Sequence, residues 1–169
     1  MSGPEPLFRV LFVCTGNTCR SPLAAAALQR ALGPAGRRIE LASAGTAAFP
    51  GAPASVGARA AARAAGLDLD EHRSRRLDAR LLARADLVLL LDPGDLEFVR
   101  ALEPDAVSRT FSLPDFGLAR PTGDRVADPY GGSPEAYADC LRQIESHVER
   151  VKPYLIDQVR EREVAAESP

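Results

Sequence analysis

No stretch of the 169-residue chain approaches the roughly 20 consecutive apolar residues that cross a bilayer. The N-terminus lacks the basic start, long apolar segment and small-residue cleavage site of a secretory signal, so a cytoplasmic protein is expected. An excess of either charge is missing too. With 21 Lys and Arg against 23 Asp and Glu, the formal net charge is -2, which offers no global field for nucleic acid or membrane. Cysteine is scarce and odd in number, three in all, which argues against a disulfide framework. No pair of Cys-x-x-Cys motifs occurs, and His72 and His147, the two histidines, lie far apart. A metal site is therefore not indicated, and chemistry without a cofactor is the default. Lysine is almost missing, Lys152 being the one Lys among the basic residues. That usage, with abundant Ala, fits a GC-rich genome, and Arg73-Ser74-Arg75-Arg76 reads as solvated surface.

What is present is 46% hydrophobic residues, enough for one compact domain over 1–169 with its own core; a monomer is expected. An ordered core of about 7–158 is expected, with a frayed tail after about Arg160. Leu7 to Val13 is a continuous apolar, β-branched run, as in a strand buried on both faces. Ser21-Pro22 offers an N-cap followed by Pro at the first helical position, and Gly33 ends that helix. Further strands are expected at Arg38–Ala42, Asp86–Leu91 and Val107–Leu113. Helices are expected at Pro53–Ala65, Asp78–Ala85 and from Asp92-Pro93 to about Leu102. After Ser133-Pro134, the residues Tyr137, Leu141, Ile144, Val148, Val151 and Leu155 form one apolar stripe at helical spacing. Pro153 inside that stripe should kink or end the helix. Residues 114–132 carry Pro, Gly and Asp without periodicity and form a long loop, a common place for function. Strand–helix alternation predicts a parallel sheet with helices on both faces, joined by right-handed crossovers.

Chemistry concentrates in Val13-Cys14-Thr15-Gly16-Asn17-Thr18-Cys19-Arg20-Ser21. A Cys six positions before an Arg is weak by itself, since three Cys among 20 Arg produce one by chance in roughly a third of such chains. The setting is specific, because Cys14 ends a buried strand and a helix opens directly after Arg20. Open α/β sheets bind ligands at the carboxyl ends of their strands. The backbone N–H groups of Thr15, Gly16, Asn17, Thr18, Cys19 and Arg20 can turn inward as a nest for a phosphate or another oxyanion. Gly16 and Asn17 accept left-handed backbone angles, and Arg20 offers a planar fork to two phosphate oxygens. The same donors should depress the Cys14 thiol, making it a nucleophile that attacks phosphorus and forms a phosphocysteine. Ser21 could hydrogen-bond the sulfur and help it leave.

From Arg9 to about Leu155 the chain resembles the low-molecular-weight protein-tyrosine phosphatases. The resemblance rests on FVCTGNTCRSP, Ser43-Ala44-Gly45-Thr46, His72-Arg73-Ser74-Arg75, Ala85-Asp86-Leu87-Val88 and Asp128-Pro129-Tyr130-Gly131-Gly132. It implies a three-layer α/β/α fold, a doubly wound four-stranded parallel sheet of flavodoxin-like order 2-1-3-4. It also implies a hydrolase acting on phosphorylated protein substrates, with Asp128 as general acid and then base. The residues alone do not select Asp128 over Asp115 or Asp124, because Asp-Pro is also a turn signal. Asn17, Ser21, Ser43 and His72 match the family's supporting hydrogen-bond network. Cys19 matches a second loop cysteine, which would trap oxidised Cys14 as a disulfide and so give redox regulation. Cys140 reads as a buried packing residue.

The resemblance divides over the phosphorylated side chain. Thr18 stands where many tyrosine-directed members carry a bulky aliphatic residue, and matches the protein-arginine phosphatase branch. Gly131 points the same way. Phe49 and Tyr130 match walls that would stack on a phenyl ring and favour an aryl phosphate. Hydrolysis of phosphotyrosine-type esters is the leading reading and phosphoarginine hydrolysis the alternative. Thiol-coupled arsenate reduction would need a relay cysteine near the third strand, and residues 66–100 contain none. A binding relic without activity would not need nucleophile, arginine and acid together.

Overall fold

The computed structural model describes residues 8–167, so Leu7, the expected start of the first strand, lies outside the described residues. Four strands, β1 (Phe8–Cys14), β2 (Ile39–Gly45), β3 (Leu87–Leu90) and β4 (Thr110–Ser112), form one parallel sheet in the order β2-β1-β3-β4. Among the described residues five α-helices accompany them: α1 (Arg20–Leu32), α2 (Val56–Ala64), α3 (Ala79–Arg84), α4 (Leu96–Leu102) and α5 (Pro134–Glu167). The expected fold class and strand order are therefore observed.

The continuous apolar sequence of β1 follows from burial on both faces, with alternate side chains serving opposite layers. Phe8, Val10, Phe12 and Cys14 join the core built with α1, α2 and α5, while Leu11 and Val13 join Leu82 of α3 and Val99 of α4. β1 thus sits centrally, flanked by β2 and β3, and its carboxyl end lies where the chain changes direction across the sheet. That switch point is where a crevice opens in such folds.

Several local expectations are corrected. α1 begins at Arg20 rather than after Ser21; Cys19 occupies the cap position and makes no side-chain capping bond. The Ser21 hydroxyl is committed elsewhere, to the Cys14 sulfur. α2 starts three residues later than Pro53, because Ser55 caps it through the Ala58 N–H at 3.2 Å. β4 is shorter than Val107–Leu113, since residues Pro104–Arg109 wind as a 3-10 turn that buries Ala106. Ser133 caps α5 as expected, accepting from the Ala136 N–H at 3.2 Å.

α5 neither ends at Pro153 nor frays after Arg160. Val151, Leu155 and Val159 stay buried on one stripe, and this packing offsets the backbone bond that proline removes. Beyond Arg160, the Arg162 guanidinium stacks over the Phe8 ring at 4.5 Å and bonds Asp86 at 2.9 Å, holding the last turns against β1. Among the described residues no helix is long and apolar enough to cross a membrane.

Residues 114–132 form the expected loop, which is pinned at both ends. The Asp115 carboxylate accepts from the Thr122 and Gly123 N–H groups at 2.6 and 3.0 Å, and the buried Val126 donates its N–H to Leu91 at 2.8 Å. Val126 thus holds the loop at the residue just past the carboxyl end of β3, and the following Asp128 and Tyr130 line the pocket at the carboxyl end of β1.

Candidate active site

Between Cys14 and Arg20 the chain closes a tight loop that forms the floor of a pocket of about 310 Å³. Cys14 to Arg20, Phe49, Ala52, Asp128 and Tyr130 line it. The loop is held from within by Asn17, whose φ of +55° is the left-handed angle that asparagine tolerates better than most residues. Its side-chain NH2 donates to Ser21 Oγ and Ser43 Oγ, both at 2.9 Å, and its Oδ1 accepts the Arg75 N–H at 2.8 Å. His72 Nε2 donates to the Asn17 carbonyl at 2.7 Å, which sets the Nε2–H tautomer. Asn17, Ser21 and Ser43 are buried, so each polar atom needs such a partner. Of the four residues expected to form a supporting network, Ser21, Ser43 and His72 therefore each bond to Asn17.

A second support comes from the segment after β2. The Thr46 and Ala47 N–H groups donate to the Cys14 and Thr15 carbonyls, each at 2.9 Å. Gly45 makes this approach possible, since a Cβ there would meet the Thr15 carbonyl oxygen at 2.4 Å. The stretch Arg73–Arg76 is also more than solvated surface. Ser74 is buried and bonds the Phe49 carbonyl and the Ala52 N–H, while Arg75 Nε donates to the Ser43 carbonyl at 2.8 Å. These roles escaped the sequence reading because an arginine run signals exposure, and nothing local reveals which backbone groups it will meet.

At the floor, Cys14 is only 2% exposed. Its sulfur lies 2.9 Å from Ser21 Oγ and accepts the Asn17 N–H at 3.3 Å. Burial pushes the thiol up from its ordinary value, while the Ser21 hydroxyl and N–H, the Arg20 charge and the Asn17 N–H pull it down. The net direction is upward, contrary to the depressed thiol expected from helix position, because a thiolate here loses the water that would solvate it. Burial likewise raises the Cys140 thiol, to about 12, consistent with a packing residue.

Arg20 is also buried, and its fork is fully aimed. One NH2 group donates to the Val126 carbonyl at 3.2 Å, and the other reaches Thr15 Oγ1 and Asp128 Oδ2, both at 3.3 Å. Asp128 is half-exposed and accepts the Tyr130 N–H on its other oxygen at 3.1 Å. Of the three aspartates that sequence left open, Asp128 is the one on the pocket; Asp115 is engaged within its own loop. Phe49 and Tyr130 rise as exposed walls, 82% and 72% accessible. Thr18 lines the pocket, and its carbonyl accepts the Ser55 N–H at 2.9 Å. Ser55 Oγ lies 3.1 Å from the Cys19 sulfur, and all three cysteines are free thiols. Among the described residues no group of three or more His, Cys, Asp or Glu side chains is placed to hold a metal ion.

Comparison with known proteins matches residues 9–164 to the family model described as low molecular weight phosphotyrosine protein phosphatase. A protein-arginine-phosphatase of Geobacillus stearothermophilus is 38% identical over 144 residues, covering 85% of this chain and 93% of the relative. A low molecular weight protein-tyrosine-phosphatase of Streptomyces coelicolor is 36% identical, with 82% and 88% covered. The solved structure of the YwlE arginine phosphatase from G. stearothermophilus superposes with a TM-score of 0.81 at 36% identity, covering 91% of this chain and 96% of that one.

Proposed function

The chain belongs to the low molecular weight phosphotyrosine protein phosphatase family and is a protein phosphatase; from that premise we propose that Cys14, Arg20 and Asp128 carry its reaction. The observation that carries this reading is the convergence of Cys14, the buried Arg20 fork and the Asp128 carboxylate on one pocket. The loop N–H groups and Arg20 hold the phosphate oxygens with phosphorus above the sulfur. Cys14 gives up its proton to solvent and attacks in line as the thiolate, the form that the Ser21 hydroxyl, the Arg20 charge and the Asn17 N–H favour: the S–P bond forms, the ester bond breaks, and Asp128 gives its proton to the leaving oxygen. Water then attacks phosphorus, Asp128 takes its proton, and the S–P bond breaks with the Ser21 hydroxyl stabilising the departing thiolate. The Asn17, Ser43 and His72 contacts keep the loop in its left-handed form through both steps.

Phosphotyrosine-type esters are the leading substrate class, since Phe49 and Tyr130 stand where two aromatic faces can flank an aryl ring. A second reading, hydrolysis of phosphoarginine, draws support from Thr18, a small hydroxyl side chain on the pocket wall. The arginine-phosphatase relative supports it as well.

Turnover of para-nitrophenyl phosphate tests the reaction. Cys14→Ser should abolish it while phosphate still binds and the fold persists; substantial residual turnover would refute the nucleophile. The ratio of kcat/KM on phosphoarginine and phosphotyrosine peptides, for wild type and Thr18→Ile, tests the substrate. An exchange of preference assigns specificity to Thr18, and unchanged ratios assign it to the walls.

A further inference from the structure

We propose that an apolar groove beside the phosphate pocket, between α2 and the start of α5, receives an apolar side chain of the protein substrate. That side chain would lie about two or three residues from the phosphorylated one. The inference deepens the phosphatase reading above and rests on it.

The groove encloses about 610 Å³, roughly twice the volume of the phosphate pocket. Ala60 and Ala64, one turn apart on α2, form one wall with Val56, and Gly131 and Gly132 form part of the other. Its floor is preformed. A Cβ on Gly57 would stand 2.3 Å from the Tyr137 ring, so α2 seats directly on that ring and no side chain fills the space above.

The two cavities are lined by neighbouring residues on both sides. Tyr130 lines the phosphate pocket and Gly131, its neighbour in the chain, lines the groove. On the other side, Thr18 of the pocket accepts the Ser55 N–H, and Val56 of the groove follows directly. Ser55 Oγ also reaches the Tyr137 hydroxyl at 3.5 Å, joining the groove floor to the loop that carries Cys19. An extended peptide advances about 3.3 Å per residue, so a substrate seated by its phosphate passes onto this surface within a few residues. The rim is apolar and exposed, with Val56 76% and Tyr130 72% accessible. Glu135 brings negative charge to the lining, which disfavours an acidic neighbour in the substrate.

The test uses two series of phosphopeptides, one with phosphotyrosine and one with phosphoarginine. In each, a single Leu or Glu is moved from three positions before the phosphorylated residue to three after it. For the wild type, kcat/KM should be about ten-fold higher with Leu than with Glu at one or two adjacent positions in the hydrolysed series. Ala60→Arg, which projects a long charged side chain into the groove, should erase that difference and leave para-nitrophenyl phosphate turnover within about two-fold. Ala64→Arg repeats the measurement should the first variant fail to fold by circular dichroism. No Leu preference in the wild type, or a preference that survives both variants, would overturn the proposal. Self-association abolished by Ala60→Arg without any change in peptide preference would also overturn it, assigning the groove to a second copy of the chain. Failure to hydrolyse any phosphorylated substrate would instead sink the phosphatase reading itself.

Discussion

Arg20 and Asp128 are 108 residues apart in sequence and meet at 3.3 Å, a buried guanidinium against a half-exposed carboxylate. The contact is asymmetric in consequence as well as in exposure. Arg20 is locked by the Val126 carbonyl and Thr15, whereas Asp128 hangs on a loop residue with one oxygen toward the pocket. A rigid cation and a less constrained carboxylate suit their proposed tasks, one holding phosphate and the other moving a proton between substrate and water.

Removing that proton donor should matter in proportion to how badly the leaving group needs it. Asp128→Asn is expected to lower kcat by about 100-fold or more on poor leaving groups and far less on activated aryl phosphates. A series of substituted phenyl phosphates measures this as a steeper dependence of rate on leaving-group pKa. Equal losses across the series would mean another acid.

Ser21 contributes to the thiol through its hydroxyl, which opposes the dominant effect of burial. Ser21→Ala should therefore move the Cys14 thiol further up, displacing the pH profile of alkylation by iodoacetamide toward alkaline pH. The same variant should slow breakdown of the phosphocysteine, seen as a larger burst before steady turnover. An unchanged alkylation profile would show that the hydroxyl does not act on the sulfur.

His72 lies below its ordinary value of 6.5, chiefly through burial, with Arg75 and Arg73 adding to the depression and the Asn17 carbonyl opposing it. As pH falls below 6.5 the unfolded chain takes up a proton that the folded protein resists. Stability should thus decline below 6.5 and level off once the pH passes beneath the folded value. His147, also lowered mainly by burial, acts in the same direction. Thermal denaturation of wild type and His72→Gln across this window should give a shallower slope for the variant. Identical slopes would exclude His72 as a contributor.

Cys19 is buried beside the loop it shares with Cys14, its sulfur 3.1 Å from Ser55 Oγ. Mild peroxide should oxidise Cys14 to a sulfenic acid whose hydroxyl leaves as water when the Cys19 sulfur attacks, giving a disulfide that thiols reduce. Mass spectrometry of the oxidised protein should show the Cys14–Cys19 bond, and Cys19→Ser should instead yield irreversibly overoxidised Cys14. Overoxidation in the wild type at the same rate would remove the protective role.

The catalytic loop was legible in sequence because its signals are local. A doubly buried strand announces itself in a continuous apolar run, a strand-to-helix junction in its Gly, Asn and Pro, and both lie within 20 residues of one another. Strand–helix alternation pointed to a parallel sheet covered on both faces, while the order of its strands came with the family resemblance. Local signals misled where a neighbour had a stronger claim on the same atom. The Ser21 hydroxyl was read both as a helix cap and as a partner of the Cys14 sulfur and takes only the second role, and Pro153 looked like a stop inside a stripe whose burial outweighs one backbone bond.

What only the tertiary structure decided is which distant groups share the loop's atoms. Asp128 stands on the pocket because Val126 bonds Leu91 just past β3 and offers its carbonyl to Arg20, backbone contacts with no residue-type signature. Gly45, Ser74 and Arg75 support the loop for the same kind of reason, through close approach and main-chain partners. Even the Cys14 thiol illustrates the division. Its sequence setting supplies the donors that favour the anion, but the burial opposing them exists only once the sheet and α1 have closed around it.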